Sequence, residues 1–325
     1  MKSRLTEILV SIILVVSVFA SACCICAPDR EPAGFSIPKA DIIYQALNNQ
    51  LSNSGTGIVE SNNLIGFVNA DGSGNKFIKL KYRAFTPVFS IDAGGIFFRS
   101  FTSEPYDLLP GGGETVFLSD SGIYRDCGDY DDGFSFPVKD TGYVLVSNGV
   151  DIELMDMTTC KVIKRLVEIP DELPWVKSVD SAYPSSSGKS MVFTETYRSP
   201  WHHVIYITDF ETGNVNEVLQ GGYNASFSPD DQRIAYLGND GIYVANADGS
   251  ANKLIVRIDL GNPYFASLDP YPFWSPDGKT LIYHKCIVAD CIDRNLSDYS
   301  IFKVDVNSGV EQKIIDGGLY PVWIK

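Results

Sequence analysis

A chain of 325 residues, 45% hydrophobic and 12% aromatic, can fill one large β domain or two ordinary ones. Its net charge of −14 argues against nucleic acid as a partner, because neutralising phosphates needs a basic surface. The same charge is otherwise what a soluble surface carries.

At the N-terminus, Lys2 and Arg4 precede an apolar run from Ile8 to Ala20. The run is short for a bilayer span and suits the core of a signal peptide. Small residues at Ala20 and Ala22 fit ordinary signal peptidase. The stretch Ala20-Ser-Ala-Cys23 also resembles a bacterial lipobox with Cys23 as the modified residue, although Ala20 stands where Leu is usual. Two acyl chains on that cysteine give stable membrane anchoring. No second apolar run of spanning length follows, so the remainder is read as lying outside the bilayer. The expected location is extracytoplasmic, in a periplasm or on a cell surface, and secreted if Cys23 is unmodified.

Seven cysteines fit an oxidising compartment. Cys23, Cys24 and Cys26 cluster at the processing site, and Cys286 and Cys291 bracket a loop short enough for them to pair. No spacing suits a zinc finger. Ala27 to Lys39 is dotted with Pro and charge and reads as a tether. Asp41 to Leu51 predicts a short helix, capped by Asp41, with Ile43, Ala46, Leu47 and Leu51 facing inward.

From there the chain repeats. Six strands open on an aromatic, namely Phe89, Phe136, Tyr183, Phe227, Trp274 and Trp323, at spacings of 44 to 49 residues. Tight turns follow, plainest in Ser228-Pro-Asp-Asp and Ser275-Pro-Asp-Gly, where Pro presets φ for the turn. A second strand, a third strand and a Gly-containing hairpin then lead to a Lys-bearing fourth strand, which suits an outer edge that must not pair with strangers. Such a period with four strands per unit is the mark of a β-propeller blade. Tyr320 to Lys325 opens a unit with no chain left to finish it, whereas Leu64 to Leu80 supplies third and fourth strands with no opening one. The reading is therefore all-β: six four-stranded blades, closed by pairing the C-terminal strand with the N-terminal blade. Gly57 to Glu60 is a candidate second strand in the shared blade, and seven blades is the alternative count. The domain reading is a signal peptide at 1–22, a lipidated Cys and tether at 23–45 and a propeller at 46–325.

The runs Phe227-Ser-Pro-Asp-Asp-Gln-Arg-Ile-Ala-Tyr236 and Phe273-Trp-Ser-Pro-Asp-Gly-Lys-Thr-Leu-Ile-Tyr283 resemble the propeller repeat of the TolB family, as does Ile242 to Ser250. The same repeat type occurs in the propeller domains of prolyl oligopeptidase-type peptidases. The resemblance covers Leu64 to the end and is weaker around Phe89, Phe136 and Tyr183. It implies a six-bladed propeller outside the cytoplasm that binds proteins or envelope components. About 40 residues separate Cys23 from the first clear strand, too few for the N-terminal α/β domain of TolB, so its role in the Tol system does not carry over.

In such a ring the first-to-second and third-to-fourth turns share one face, and these are uniformly tight. The long stretches fall on the other face: 101–113, 125–133, 167–179, 197–203, 257–271 and 285–300. Elaborated loops on a rigid scaffold are where binding usually lives. The candidate binding residues on that face are Asp129, Tyr130, Asp131, Trp175, Trp201, His202, His203, Tyr264, Tyr271, Asp290 and Asp293. Carboxylates among aromatics suit a cationic or carbohydrate ligand or an ordinary protein partner. Asp126 to Gly133 looks like a calcium loop but lacks the EF-hand register and terminal Glu. The same sorting puts Cys127 and Cys160 on opposite faces, so they are expected not to be bonded. Three histidines, no Gly-x-Ser-x-Gly elbow and no room for a hydrolase domain leave catalysis little support. The expected protein is a non-catalytic, lipid-anchored monomer that needs no cofactor or metal and binds a protein or cell-envelope polymer. The rival is a metal-dependent propeller lyase or lactonase acting on a saccharide or lactone, with His202-His203 as the nucleus of its site.

Overall fold

The computed structural model describes residues 35–46, 64–81, 84–90, 92–100, 114–129, 135–147, 149–168, 177–198, 200–258, 269–287 and 298–324. Every element in them is a strand, and the strands form six antiparallel four-stranded sheets. The chain is a six-bladed β-propeller. Blade 1 runs from the axis outward as β24 (Gly318–Trp323), β1 (Ile42–Ala46), β2 (Leu64–Val68) and β3 (Lys76–Lys79). Blade 2 holds β4 (Phe85–Ser90), β5 (Gly95–Ser100), β6 (Glu114–Ser119) and β7 (Tyr124–Asp129). Blade 3 holds β8 (Phe136–Val138), β9 (Tyr143–Ser147), β10 (Asp151–Asp156) and β11 (Val162–Glu168). Blade 4 holds β12 (Lys177–Pro184), β13 (Ser190–Arg198), β14 (Trp201–Asp209) and β15 (Val215–Gln220). Blade 5 holds β16 (Tyr223–Phe227), β17 (Arg233–Gly238), β18 (Gly241–Asn246) and β19 (Lys253–Arg257). Blade 6 holds β20 (Phe273–Trp274), β21 (Thr280–Cys286), β22 (Tyr299–Asp305) and β23 (Glu311–Asp316).

The ring closes as the spacing requires, with Ile42 opposite Trp323 and Ala46 opposite Gly318. The second strand of that blade is not the expected one. Ile42–Ala46, expected as the start of a helix, is a fully buried strand between β24 and β2, while Gly57 to Glu60 lies outside the described residues. Tertiary burial decides here: Ile42, Ile43, Tyr44 and Ala46 all lose their water in the central slot, which a helix turning some of them outward would not achieve. Gly66 makes room for the closure, since a Cβ there would lie 2.1 Å from the ring of Tyr44.

The strand registers correct a second expectation, that the six aromatics are equivalent. Phe89, Phe227, Trp274 and Trp323 pair with the second-strand residues Ile96, Ile234, Leu281 and Ile42. In blades 3 and 4 the matching partners, Val144 and Met191, face Pro137 and Pro184, so Phe136 and Tyr183 stand one residue earlier. A shift of one residue reverses the side of the strand. Phe136 and Tyr183 therefore join Val88, Ser226, Phe273 and Val322 on the axial side.

A third regularity lies behind this layer. Three residues beyond the paired second-strand position stand Gln45, Arg99, Ser147, Thr194, Leu237 and His284, all buried and five of them polar. Three of them bond to inner strands, and four of the six inner strands carry a register shift. His284 Nδ1 accepts the backbone N–H of Tyr320 at 3.2 Å, Ser147 Oγ donates to Val179 O at 3.4 Å, and Ser181 Oγ donates to Thr194 Oγ1 at 3.1 Å. Thr86, Asn224 and Tyr320, each three residues before its blade's aromatic, have φ of 47°, 54° and 47°. Non-glycine residues in that region carry strain of order 1–3 kcal/mol each, and bulges of this kind re-aim side chains beside functional sites. His284→Ala, which removes the acceptor and leaves a cavity, is expected to destabilise the fold by about 2–4 kcal/mol in urea unfolding. His284→Gln, which keeps an acceptor at that position, should recover part of that loss.

Cys127 and Cys160 are bonded, with Cα atoms 4.9 Å apart, against the expectation that they are not. The error lay in treating Arg125 to Gly133 as a loop. Its first five residues lie within β7, the outer strand of blade 2, so Cys127 belongs to an edge and not to the far face. Cys160 closes the turn after β10 of blade 3, on the flank of the neighbouring blade. Both cysteines join a small core with Phe97, Phe117, Val144, Met155 and Met157. Arg125 Nη1 donates to Met157 O across the same seam at 2.9 Å. Cys286 is also disulfide-bonded; its partner lies outside the described residues, as Cys291 does.

Candidate functional site

The axis is closed at one level. Phe136, Tyr183 and Phe273 meet there, with ring centroids 4.7 Å apart for Phe136–Tyr183, 5.5 Å for Phe136–Phe273 and 5.6 Å for Tyr183–Phe273. Blades 3 and 6 stand opposite each other, so the Phe136–Phe273 contact spans the ring. All three side chains are buried. Tyr271 stacks on Phe273 at 6.0 Å and meets Tyr320 edge-on at 6.4 Å, extending the plug toward the loop face.

On that face the most prominent described feature is the β13–β14 hairpin. Both strands have nine residues and stay in register to Arg198 opposite Trp201, so 197–203, expected as a loop, is mostly regular sheet. Side chains alternate along it. His202 stacks flat on Tyr197 at 4.5 Å, and its Nδ1–H donates to Pro200 O at 2.8 Å. On the other side, Trp201 is 63% exposed and leans toward His203 at 6.4 Å. His203 shares a 2.6 Å hydrogen bond with Thr196 Oγ1 and stacks on Tyr223 of blade 5 at 4.5 Å. Tyr223 in turn donates its hydroxyl to Asp269 Oδ2 at 2.7 Å. A ladder Trp201–His203–Tyr223–Asp269 thus crosses three blades, from an exposed indole to a sheltered carboxyl.

The seam beneath the ladder is bonded at matching repeat positions. Asn224 Nδ2 donates to Pro270 O at 3.3 Å, Ser226 Oγ to Pro272 O at 2.5 Å, and Trp274 Nε1 to Ser226 O at 3.2 Å. Burial raises the Asp269 carboxyl to about 6, against the pull of the Tyr223 hydrogen bond. Burial, then the Asp269 charge, pushes the Tyr223 hydroxyl far above its usual range. A carboxyl whose folded pKa is raised favours the fold most while protonated, below about 4, and loses that contribution as pH rises through about 6. Asp269→Asn keeps an acceptor for Tyr223 and is expected to stabilise the protein at pH 7 by on the order of 2 kcal/mol, allowing for partial solvent contact. The gain should vanish toward pH 4, and thermal melts of both proteins across that interval check the sign.

Of the candidate binding residues, the structure brings His203 and Trp201 into one ladder, sets His202 on the opposite side of the same hairpin, and puts Tyr271 in the axial plug. Asp129 ends β7, opposite Glu114. Tyr130, Asp131, Trp175, Tyr264, Asp290 and Asp293 lie outside the described residues, as does everything before Phe35, including Cys23. Sequence reasoning missed Tyr223, Asn224 and Tyr320. Their signal was the offset before each opening aromatic, hidden while two registers were merged. Among the described residues, no group of three or more His, Cys, Asp or Glu side chains is arranged to hold a metal ion.

No protein-family model and no curated protein matches the sequence. Solved structures do. TolB from Acinetobacter baumannii superposes with a TM-score of 0.63 at 17% identity over 87% of this chain, which spans only 66% of that protein. A putative TolB from Agrobacterium tumefaciens gives 0.54 at 16% identity, covering 78% of this chain and 94% of that one. An oligogalacturonate lyase in complex with manganese gives 0.50 at 17% identity, covering 71% of this chain and 65% of that one. At these identities the likeness is one of fold: the chain is a TolB-like β-propeller.

Proposed function

We propose that this propeller is a non-catalytic binding scaffold, held outside the cytoplasm by lipid on Cys23, and that it engages a protein or envelope polymer through its loop face. The observation that carries the reading is the β13–β14 hairpin, which projects an exposed Trp201 backed by a rigid aromatic and imidazole ladder. An aromatic braced in this way loses little freedom on binding, and Trp is the residue most often found at the centre of energetic hot spots. The Cys127–Cys160 bond supports an oxidising compartment. Crosslinking and pull-down from the native envelope should capture a partner that Trp201→Ala and His202→Ala each release at least in part. Capture indifferent to both substitutions would sink the binding-face reading. Cys23→Ala should move the protein from membranes to the soluble fraction, and a variant that still sediments with membranes removes the lipid anchor.

The likeness to an oligogalacturonate lyase keeps one rival in view, a metal-dependent enzyme acting on a saccharide or lactone. Under the binding-scaffold reading, purified protein holds no stoichiometric divalent ion and shows no thermal shift with calcium, manganese or zinc. A shift with any of them reverses the preference.

A further inference from the structure

We propose that the fold dictates how the anchored molecule faces: its tight-turn face is turned toward the bilayer that holds Cys23, and its loop face, with Trp201, is turned away. The proposal rests on the lipid-anchor reading above. Strand direction carries it. Inner strands that are followed by a second strand in the chain end at the tight-turn face, and β24 runs the same way. Because β1 is antiparallel to β24 with Ile42 opposite Trp323, the chain enters the ring on the tight-turn side. Two hydrogen bonds fix that point. Ile324 N–H donates to Asp41 O at 2.8 Å, and Ala70 N–H, at the β2–β3 turn, donates to Asp41 Oδ2 at 2.9 Å. Ahead of Asp41, Phe35, Ile37 and Ala40 pack against the main core, so the chain is already tied to the ring at residue 35.

Cys23 stands twelve residues before Phe35, an extended reach of at most about 40 Å. To lay the loop face on the bilayer, the tether would have to pass two strand spacings to the rim, about 10 Å, and then the full depth of the ring, about 20 Å before any loop is counted. That path would use most of the reach. The tight turns themselves carry mixed charge. Asp71, Asp156, Asp209, Asp248 and Asp305 sit in the tight turns, each accepting hydrogen bonds from its own turn that hold the carboxyl below its usual range. Cations act on four of the five, Lys303 on Asp71, Arg125 on Asp156, Lys164 on Asp209 and Lys279 on Asp305, so the face offers an anionic leaflet no surface of one sign. Charge thus does not set the orientation; the tether's point of entry does, and it presents the loop face to a partner.

The test is energy transfer to a headgroup acceptor in the native membrane, from a fluorescent residue installed by codon suppression at position 248 or position 201 of the full chain. Transfer from position 248 should exceed that from position 201 at least about twofold, given a face-to-face separation of about 20 Å. Mass spectrometry of the Cys23 peptide reports acylation separately, and its absence removes the anchor reading alone. A second arm holds the chain on nickel-chelating vesicles by a hexahistidine tag at position 23, so orientation is read whatever the acyl result. Equal or reversed transfer in that arm overturns the proposed orientation.

Discussion

Phe273→Ala is expected to lower the unfolding free energy by about 3–5 kcal/mol, the largest single effect among the substitutions considered. Phe273 is fully buried and touches aromatics from the opposite blade and from blade 4, so truncation empties a volume that no single blade can refill. The edge and tilted contacts to Phe136 and Tyr183 add stabilisation beyond area burial. Phe273→Leu, which keeps most of the volume, should lose clearly less. Chemical denaturation of the pair checks the order. The reverse order, with Leu the more damaging, would show that the axis tolerates a void better than a misfitting side chain.

The second large effect is at the blade 2–blade 3 seam. The Cys127–Cys160 bond closes a loop of 33 residues. By chain entropy alone, such a link destabilises the unfolded state by about 3–4 kcal/mol. The double variant Cys127→Ser/Cys160→Ser should therefore melt roughly 5–10 °C lower in calorimetry. Reductant should lower the melting point of the wild type by more than that of the variant, in which the Cys286 bond remains to be reduced. A melting point unmoved by reductant would show that the Phe97, Phe117 and Met155 cluster holds the seam by itself.

Much of the fold was legible because turns and spacing are local signals. Ser228-Pro-Asp-Asp and Ser275-Pro-Asp-Gly fix their strands almost alone, and the incomplete unit at Tyr320 to Lys325 demanded a partner strand near the N-terminus. Where the text misled, a non-local contact had overridden it. Asp41 to Ala46 carries a helix cap and apolar spacing, yet it is drawn into a slot whose other wall lies at the far end of the chain. Phe136 and Tyr183 were legible as aromatics on inner strands, but their side of the strand depends on a register that only pairing with Val144 and Met191 reveals. The candidate site was legible in its exposed part, Trp201, His202 and His203. Its buried part, Tyr223 and Asp269, was not, because nothing local shows that a tyrosine in one blade donates to a carboxyl approaching the next.

The shared blade also has a consequence in time. Ile42 and Trp323, which face each other across the closing seam, are separated by about 280 residues. Contacts of such long range are slow to form, since the loop between them must be closed before they stabilise anything. If the chain crosses a membrane N-terminus first, β1 emerges early and can pair with β2, but its apolar inner edge must wait until residues 318–323 arrive. Blades 2 to 6 can order as their own strands appear, but the ring cannot. During that interval the bare inner edge of β1 is the molecule's most aggregation-prone surface, and a holding chaperone would have its greatest effect there.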